Sequence, residues 1–129
     1  MTLRSVVFFS AFIMAAATVV VLAATASPVL AADNRVSDRS EFVSLVQGHT
    51  LTRFGITLVV SPDGNIGGTA FGRQVTGDWA WRDGFFCRNL NWGGKSIDPD
   101  NCQTVQKDGG GLRFTSDRGA GDSAVLSLN

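Results

Sequence analysis

The chain is short of the residues that hold soft metals and carry redox chemistry: its 129 residues include one histidine and two cysteines. His49, Cys87 and Cys102 are too few for a zinc cage, and the cysteines lack the C-x-x-C spacing of a redox pair. No nucleophile elbow and no H-E-x-x-H pair occurs. The acidic stretch "DPDN" lacks the further acidic and glycine positions of a calcium loop. The sequence therefore predicts neither metal nor cofactor, and identifies no catalytic residue. An excess of one charge is missing as well. The 11 Lys and Arg balance the 11 Asp and Glu, so there is no electrostatic case for nucleic acid or for an anionic membrane.

What the sequence does have begins at its start. Arg4 is followed by the apolar run "VVFFSAFIMAAATVVVLAA" and by "TASPVLAADN", the layout of a secretory signal. Val29 and Ala31 suit the −3 and −1 positions, which places cleavage after Ala31, with Ala32 as the neighbouring option. The rival reading is an uncleaved anchor, which would be the chain's only contact with a membrane. No cysteine follows the run, so a lipid anchor is not expected. Residues 1–31 thus read as a signal peptide and residues 32–129 as one periplasmic or secreted domain.

A domain of this size sits at the small end of what one hydrophobic core supports. In an exported protein Cys87 and Cys102 read first as a disulfide. Phe42, Leu45 and Val46 share one helical face over about Arg39 to Gln47, with Asp38 as cap and Glu41 positioned to return the bond. Everything beyond this N-terminal helix reads as strand and turn. Short runs such as "ITLVVS", "QVTGDWAW" and "FFCRNL" alternate with "PDGN", "DG", "DGGG" and "DRGAGD". The expected fold is mainly β, a small antiparallel meander of seven or eight strands, rolled into a barrel or curved as an open sheet. "NWGGKSIDPDN" reads as a polar loop. Gly119, Gly121 and Ala124 form a G-x-G-x-x-A pattern, but "AVLSLN" after it has strand composition, where a dinucleotide site requires a helix.

All three tryptophans lie in "GDWAWRDGFFCRNLNW". Trp79 and Trp81 are two residues apart on a strand and share a face. With Phe85 they are expected in the core, and Cys87–Cys102 is expected to close over them. Trp92, in the expected loop, is the candidate for stacking on a sugar ring or a peptide group. Arg82 and Arg88 are the candidates for gripping a carboxylate or phosphate, or else they pair with Asp78 or Asp83.

The segments "LVVSPDGNIGG", "GDWAWRDGFFCR" and "NCQTVQKDGGGLRFTSDRGAGDSA" resemble a group of small exported proteobacterial proteins with the pattern G-x-W-x-W-x-D-G-x-F-C-R followed by C-Q-x-V. The likeness spans nearly the whole of residues 32–129 and agrees with export and with the disulfide. Some of that group bear the name dihydrodipicolinate reductase, which implies a cytoplasmic NAD(P)H enzyme with a Rossmann domain. No residue pattern here supports that activity. The functional expectation is a non-catalytic binding or envelope-interaction module whose partner is a small molecule, a glycan or an envelope protein. The alternatives are a small periplasmic hydrolase using His49 and a protein inhibitor that offers the Trp92 loop.

Overall fold

The computed structural model describes residues 19–24 and 34–129. The chain divides into two units, Met1–Leu30 and Ala31–Asn129. Apart from residues 19–24, the expected signal segment and its cleavage point lie outside the described residues. Among the described residues no helix is long and apolar enough to cross a membrane.

The second unit holds one α-helix and eight strands. In chain order these are α1 (Arg39–Val46), β1 (Leu51–Arg53), β2 (Ile56–Val60), β3 (Asn65–Ala70), β4 (Arg73–Arg82), β5 (Phe85–Trp92), β6 (Lys95–Asp108), β7 (Gly111–Thr115) and β8 (Ser123–Leu128). Each strand pairs antiparallel with the next, and β1 pairs with β8, so the meander closes into a barrel and the open-sheet alternative falls away. The closing seam is short, with Leu51 opposite Leu128 and Thr52 opposite Ser127. Beyond it Thr50 and Asn129 exchange two backbone hydrogen bonds of 2.9 and 3.0 Å.

The helix follows its sequence signals but does not stand at the N-terminus. Pairing comes first: Arg35 bridges Gln106, Val36 N–H donates to Val105 O, and Lys107 N–H donates to Asn34 O. Only then does Asp38 cap α1, its Oδ1 accepting from Glu41 N–H at 2.8 Å. Glu41 returns a bond to Ser37 N–H at 3.3 Å, one residue ahead of the cap. The side-chain bonds hold the Asp38 carboxyl below its ordinary value of 3.8, with Glu41 N–H the larger cause and Ser40 the next.

Alternation along the strands sends one set of side chains into the barrel and the other outward. Phe42 from α1 closes one end. It is fully buried, and its ring centroid lies 5.1 Å from Trp79, 5.3 Å from Trp81, 5.0 Å from Phe86 and 6.5 Å from Phe114. Val36 and Val46 are buried beside it in the same cluster. Arg39 fastens this end by donating to Pro62 O at 2.6 Å and lying over the Trp79 indole.

Three expectations need correction. A two-residue turn at Asp83-Gly84 pairs Arg82 with Phe85, so Trp81 opposes Phe86 and Trp79 opposes Arg88. Residues directly opposite share a face. Trp79 and Phe86 are therefore core, with Trp81 packed against them, whereas Phe85 points outward beneath the guanidinium groups of Arg35 and Arg118. The disulfide joins Cys87 to Cys102 on the outer face, away from the tryptophans. Nor is "NWGGKSIDPDN" a loop. β5 runs through Trp92, and Gly93 and Gly94, with φ of 55° and 82°, make the left-handed two-residue turn that returns the chain as β6.

β6 departs from regular pairing once. Leu90 opposes Ile97 but Arg88 opposes Asn101, so Asp98, Pro99 and Asp100 bow out against the single residue Asn89. Pro99 has no N–H to give the ladder, and Asp98 and Asp100 take φ of 44° and 53°. Asn89 ties the bow down: its Oδ1 accepts from Asp100 N–H at 2.7 Å and its Nδ2 donates to Asp78 at 3.0 Å. The register shifts by two residues, so the inward and outward sets are preserved across it.

Candidate functional site in the barrel interior

The inward set is apolar but does not fill the barrel. Between the layer of Phe86 and Phe114 and the far end lies a cavity of about 230 Å³. Its walls include Leu51, Ile56, Leu58, Leu90, Ala124 and Leu126, and its polar lining is limited to Arg88 and Gln103. A second apolar space of about 290 Å³ shares Ile56, Leu58 and Leu90 with the first and continues past Val75 and Trp92 to Phe71 and Ile97. The two spaces adjoin, sharing these walls between the aromatic plug and the mouth.

Small inward residues help to explain the room. Gly68, with φ of 134°, faces inward between Leu58 and Val75. A Cβ there would collide with the backbone oxygen of Thr57, so β2 and β3 pack this closely only because position 68 is glycine. Gly77 faces inward between Ile66 and Leu90, and a Cβ on it would strike Asn89 O. Neither position supplies a side chain to the interior.

The mouth lies at the end where β1–β2, β3–β4, β5–β6 and β7–β8 connect; the first three tips form the apolar and basic part of its rim, and the fourth connection carries Asp117 and Asp122. Phe54 is 92% exposed and Phe71 is 63% exposed, on adjoining turns joined by the Phe71 N–H bond to Gly55 O of 2.7 Å. Arg53, Arg73 and Lys95 stand beside the tips, and no carboxylate occurs in residues 51–58, 67–77 or 90–97. Trp92 forms part of the mouth. Its Nε1 donates to Ala70 O at 2.7 Å, and the Arg73 guanidinium lies 4.8 Å from its ring centroid.

The structure separates the residues singled out in the sequence. Trp92 and Arg88 both lie on the inner face of β5, four residues apart. Arg82 lies on the outer face and pairs with Asp100, so the two arginines form no common clamp. Arg82 belongs instead to an outer polar depression of about 450 Å³ above the disulfide, which also holds Asp83, Asp98, Asp117 and Arg118. Asn101 braces that surface by donating Nδ2 to Asp98 at 2.8 Å and to Asp117 at 3.0 Å. Among the described residues no group of three or more His, Cys, Asp or Glu side chains could hold a metal ion.

Arg88 is half-buried, and its Nη1 donates to Asp98 O at 3.2 Å. Burial lowers its pKa below the ordinary arginine value, against the opposing pull of the Asp98 charge. His49 is exposed on the turn after α1, and its ring makes no hydrogen bond or ion pair with the described residues.

Plug, apolar walls, one interior guanidinium and an open mouth define a small up-and-down barrel with an internal compartment. Compared with protein-family models, curated proteins and solved structures, the chain matches none of them.

Proposed function

We propose that this protein is an exported, non-catalytic binding module that carries a small, largely apolar molecule inside its barrel. One observation carries the reading: the apolar cavity of about 230 Å³ above the aromatic plug. Protein interiors are packed as densely as organic crystals, so unfilled apolar space of this size in a 98-residue domain is costly unless something occupies it. Small barrels either fill their interior with side chains or hold one small ligand. Export rests on the N-terminal sequence, and the disulfide is compatible with an oxidising compartment.

The test is calorimetric titration of residues 32–129 with decanol below its solubility limit. One-to-one saturable binding that disappears in Leu58→Trp, where an indole takes up the cavity, is expected. No binding, or binding untouched by Leu58→Trp, would sink the reading. His49→Ala addresses the hydrolase alternative and Trp92→Ala the inhibitor alternative. Any turnover lost with the first, or partner binding lost with the second at unchanged stability, would displace the proposal.

The rim favours a second, compatible reading, contact with the envelope. Phe54 and Phe71 project from tips that also carry Arg53, Arg73 and Lys95, the combination of apolar insertion and basic charge that binds anionic lipid surfaces. Cosedimentation with phosphatidylglycerol vesicles, lost in a Phe54→Ala/Phe71→Ala double variant, would support it. Equal sedimentation of the two proteins would refute it.

A further inference from the structure

We infer that the molecule held in the barrel is an amphiphile with one negative charge, a medium-chain carboxylate in class, its head at Arg88 and its chain directed to the mouth. This rests on the barrel interior being the binding site, and goes beyond it by naming the head group and the orientation.

Arg88 is the only charged residue lining the inner cavity. Its guanidinium has five N–H donors in a fixed fork. Among the described residues the Arg88 side chain makes a single hydrogen bond, Nη1 to Asp98 O, and takes part in no ion pair. The nearest carboxylate, Asp98, is occupied by Asn101 Nδ2. Gln103, the other polar lining residue, spends its Nε2 on Ser116 Oγ at 3.3 Å. The interior thus presents one incompletely satisfied cation among aliphatic and aromatic walls. Arg88 is half-buried, so its charge is only partly solvated, and a carboxylate supplies both the opposite charge and two acceptors matched to the fork.

The walls narrow the ligand further. They offer no row of donors and acceptors for a sugar. A second negative charge on the head would find no second cation in the cavity and would approach Asp98. Orientation follows from the strand. Phe86, Arg88, Leu90 and Trp92 succeed one another on the inner face of β5 from plug to mouth. From Arg88 to Trp92 is four residues, about 13 Å at the usual rise along a strand. A head at Arg88 therefore leaves room for an extended chain of medium length past Leu90, with its end beside Trp92, Phe71 and Ile97.

The experiment compares decanoate with decanol, both below micelle formation, on residues 32–129 and on three variants. The wild type should bind decanoate at least about tenfold more tightly than decanol, the usual worth of a charge-assisted hydrogen bond. Arg88→Gln should remove that preference while retaining decanol binding, and Arg88→Lys, which keeps the charge, should preserve most of it. Leu58→Trp should abolish both. If decanol binds and Leu58→Trp blocks it, but Arg88→Gln leaves decanoate affinity unchanged, the head-group inference is overturned and the interior site stands. If neither probe binds the wild type, both fall together. Retained decanol binding by Arg88→Gln also shows that this variant is folded.

Discussion

Replacing Phe42 with alanine tests the architecture most directly, because its ring is the helix's aromatic contact with the barrel core. The ring is fully buried and meets Trp79 and Trp81 of β4, Phe86 of β5 and Phe114 of β7. Truncating a core phenylalanine costs about 3–5 kcal/mol, from lost transfer energy and the cavity left behind. Small domains have about 5–15 kcal/mol in total, so about a fifth or more of the stability is at stake. At about 4–8 °C per kcal/mol for a domain of this size, the melting temperature should fall by about 12 °C or more. Urea unfolding followed by tryptophan fluorescence is the suitable assay, since two of the three indoles touch Phe42. Phe54→Ala is the matched control. The same atoms are removed from a ring that is 92% exposed, and the change should stay within about 0.5 kcal/mol. A loss under about 1 kcal/mol for Phe42→Ala would mean that the helix does not plug the barrel. Equal losses for the two variants would mean that burial is not what distinguishes them.

Other outcomes follow from the same geometry. Reducing Cys87–Cys102 should cost about 3 kcal/mol in the chain-entropy account for a 15-residue separation, read as a lower urea midpoint; unchanged unfolding would show that the strand pairing alone holds β5 to β6. Gly68→Ala should lose about 1–3 kcal/mol by thermal melting, as the new Cβ forces β2 away from β3, and a neutral result would show that the strands yield freely. Asp38 accepts bonds as a carboxylate, so its folded pKa is depressed below 3.8 and its contribution is present above that value and lost as pH falls through the folded pKa. The stability gap between wild type and Asp38→Ala should accordingly be level near neutrality and close below about pH 4. A gap undiminished in strong acid would show that the charge is not what caps the helix.

Much of the fold was legible because local signals were strong. Asp38 and Glu41 mark the helix start, and the turn glycines mark where strands end. The faces of the central hairpin were legible too, although composition pointed the other way. A two-residue turn at Asp83-Gly84 requires position 81 to oppose 86, which turns Phe86 inward and Cys87 outward. The expectation set Phe85 and Cys87 together on the tryptophan side of the partner strand without applying the register that the turn imposes. In fact Cys87 is buried on the outer face, in the depression roofed by the Asp98–Asp100 bow. That bow had a local signal, proline between two aspartates, but nothing local says by how many residues the β5–β6 register shifts across it. Barrel closure was not decidable from the sequence, because the β1–β8 seam depends on strand tilt and length rather than on any residue type. The cavity was invisible for a related reason. It is the volume left over when all eight strands are in place, and Gly68 and Gly77 announced themselves only as breaks in an apolar pattern. The even charge count also concealed a local arrangement, since Arg53, Arg73 and Lys95 stand on three tips that carry no carboxylate of their own.

The closing seam carries a consequence for how the chain reaches its folded state. Thr52 and Asn129, hydrogen-bonded side by side, are 77 residues apart. Every other strand pair forms between sequence neighbours, so seven hairpin contacts can assemble early while the eighth waits for the longest loop to close. Non-local pairing of this kind slows folding, and here it rests on two ladder pairs. Until it forms, β1 and β8 are free edges with unpaired backbone groups, templates for pairing with another chain. The native barrel has no such edge. The hazard of self-association therefore belongs to the time before closure, and substitutions at Leu51 or Leu128 should be felt first as lost yield on refolding at high concentration.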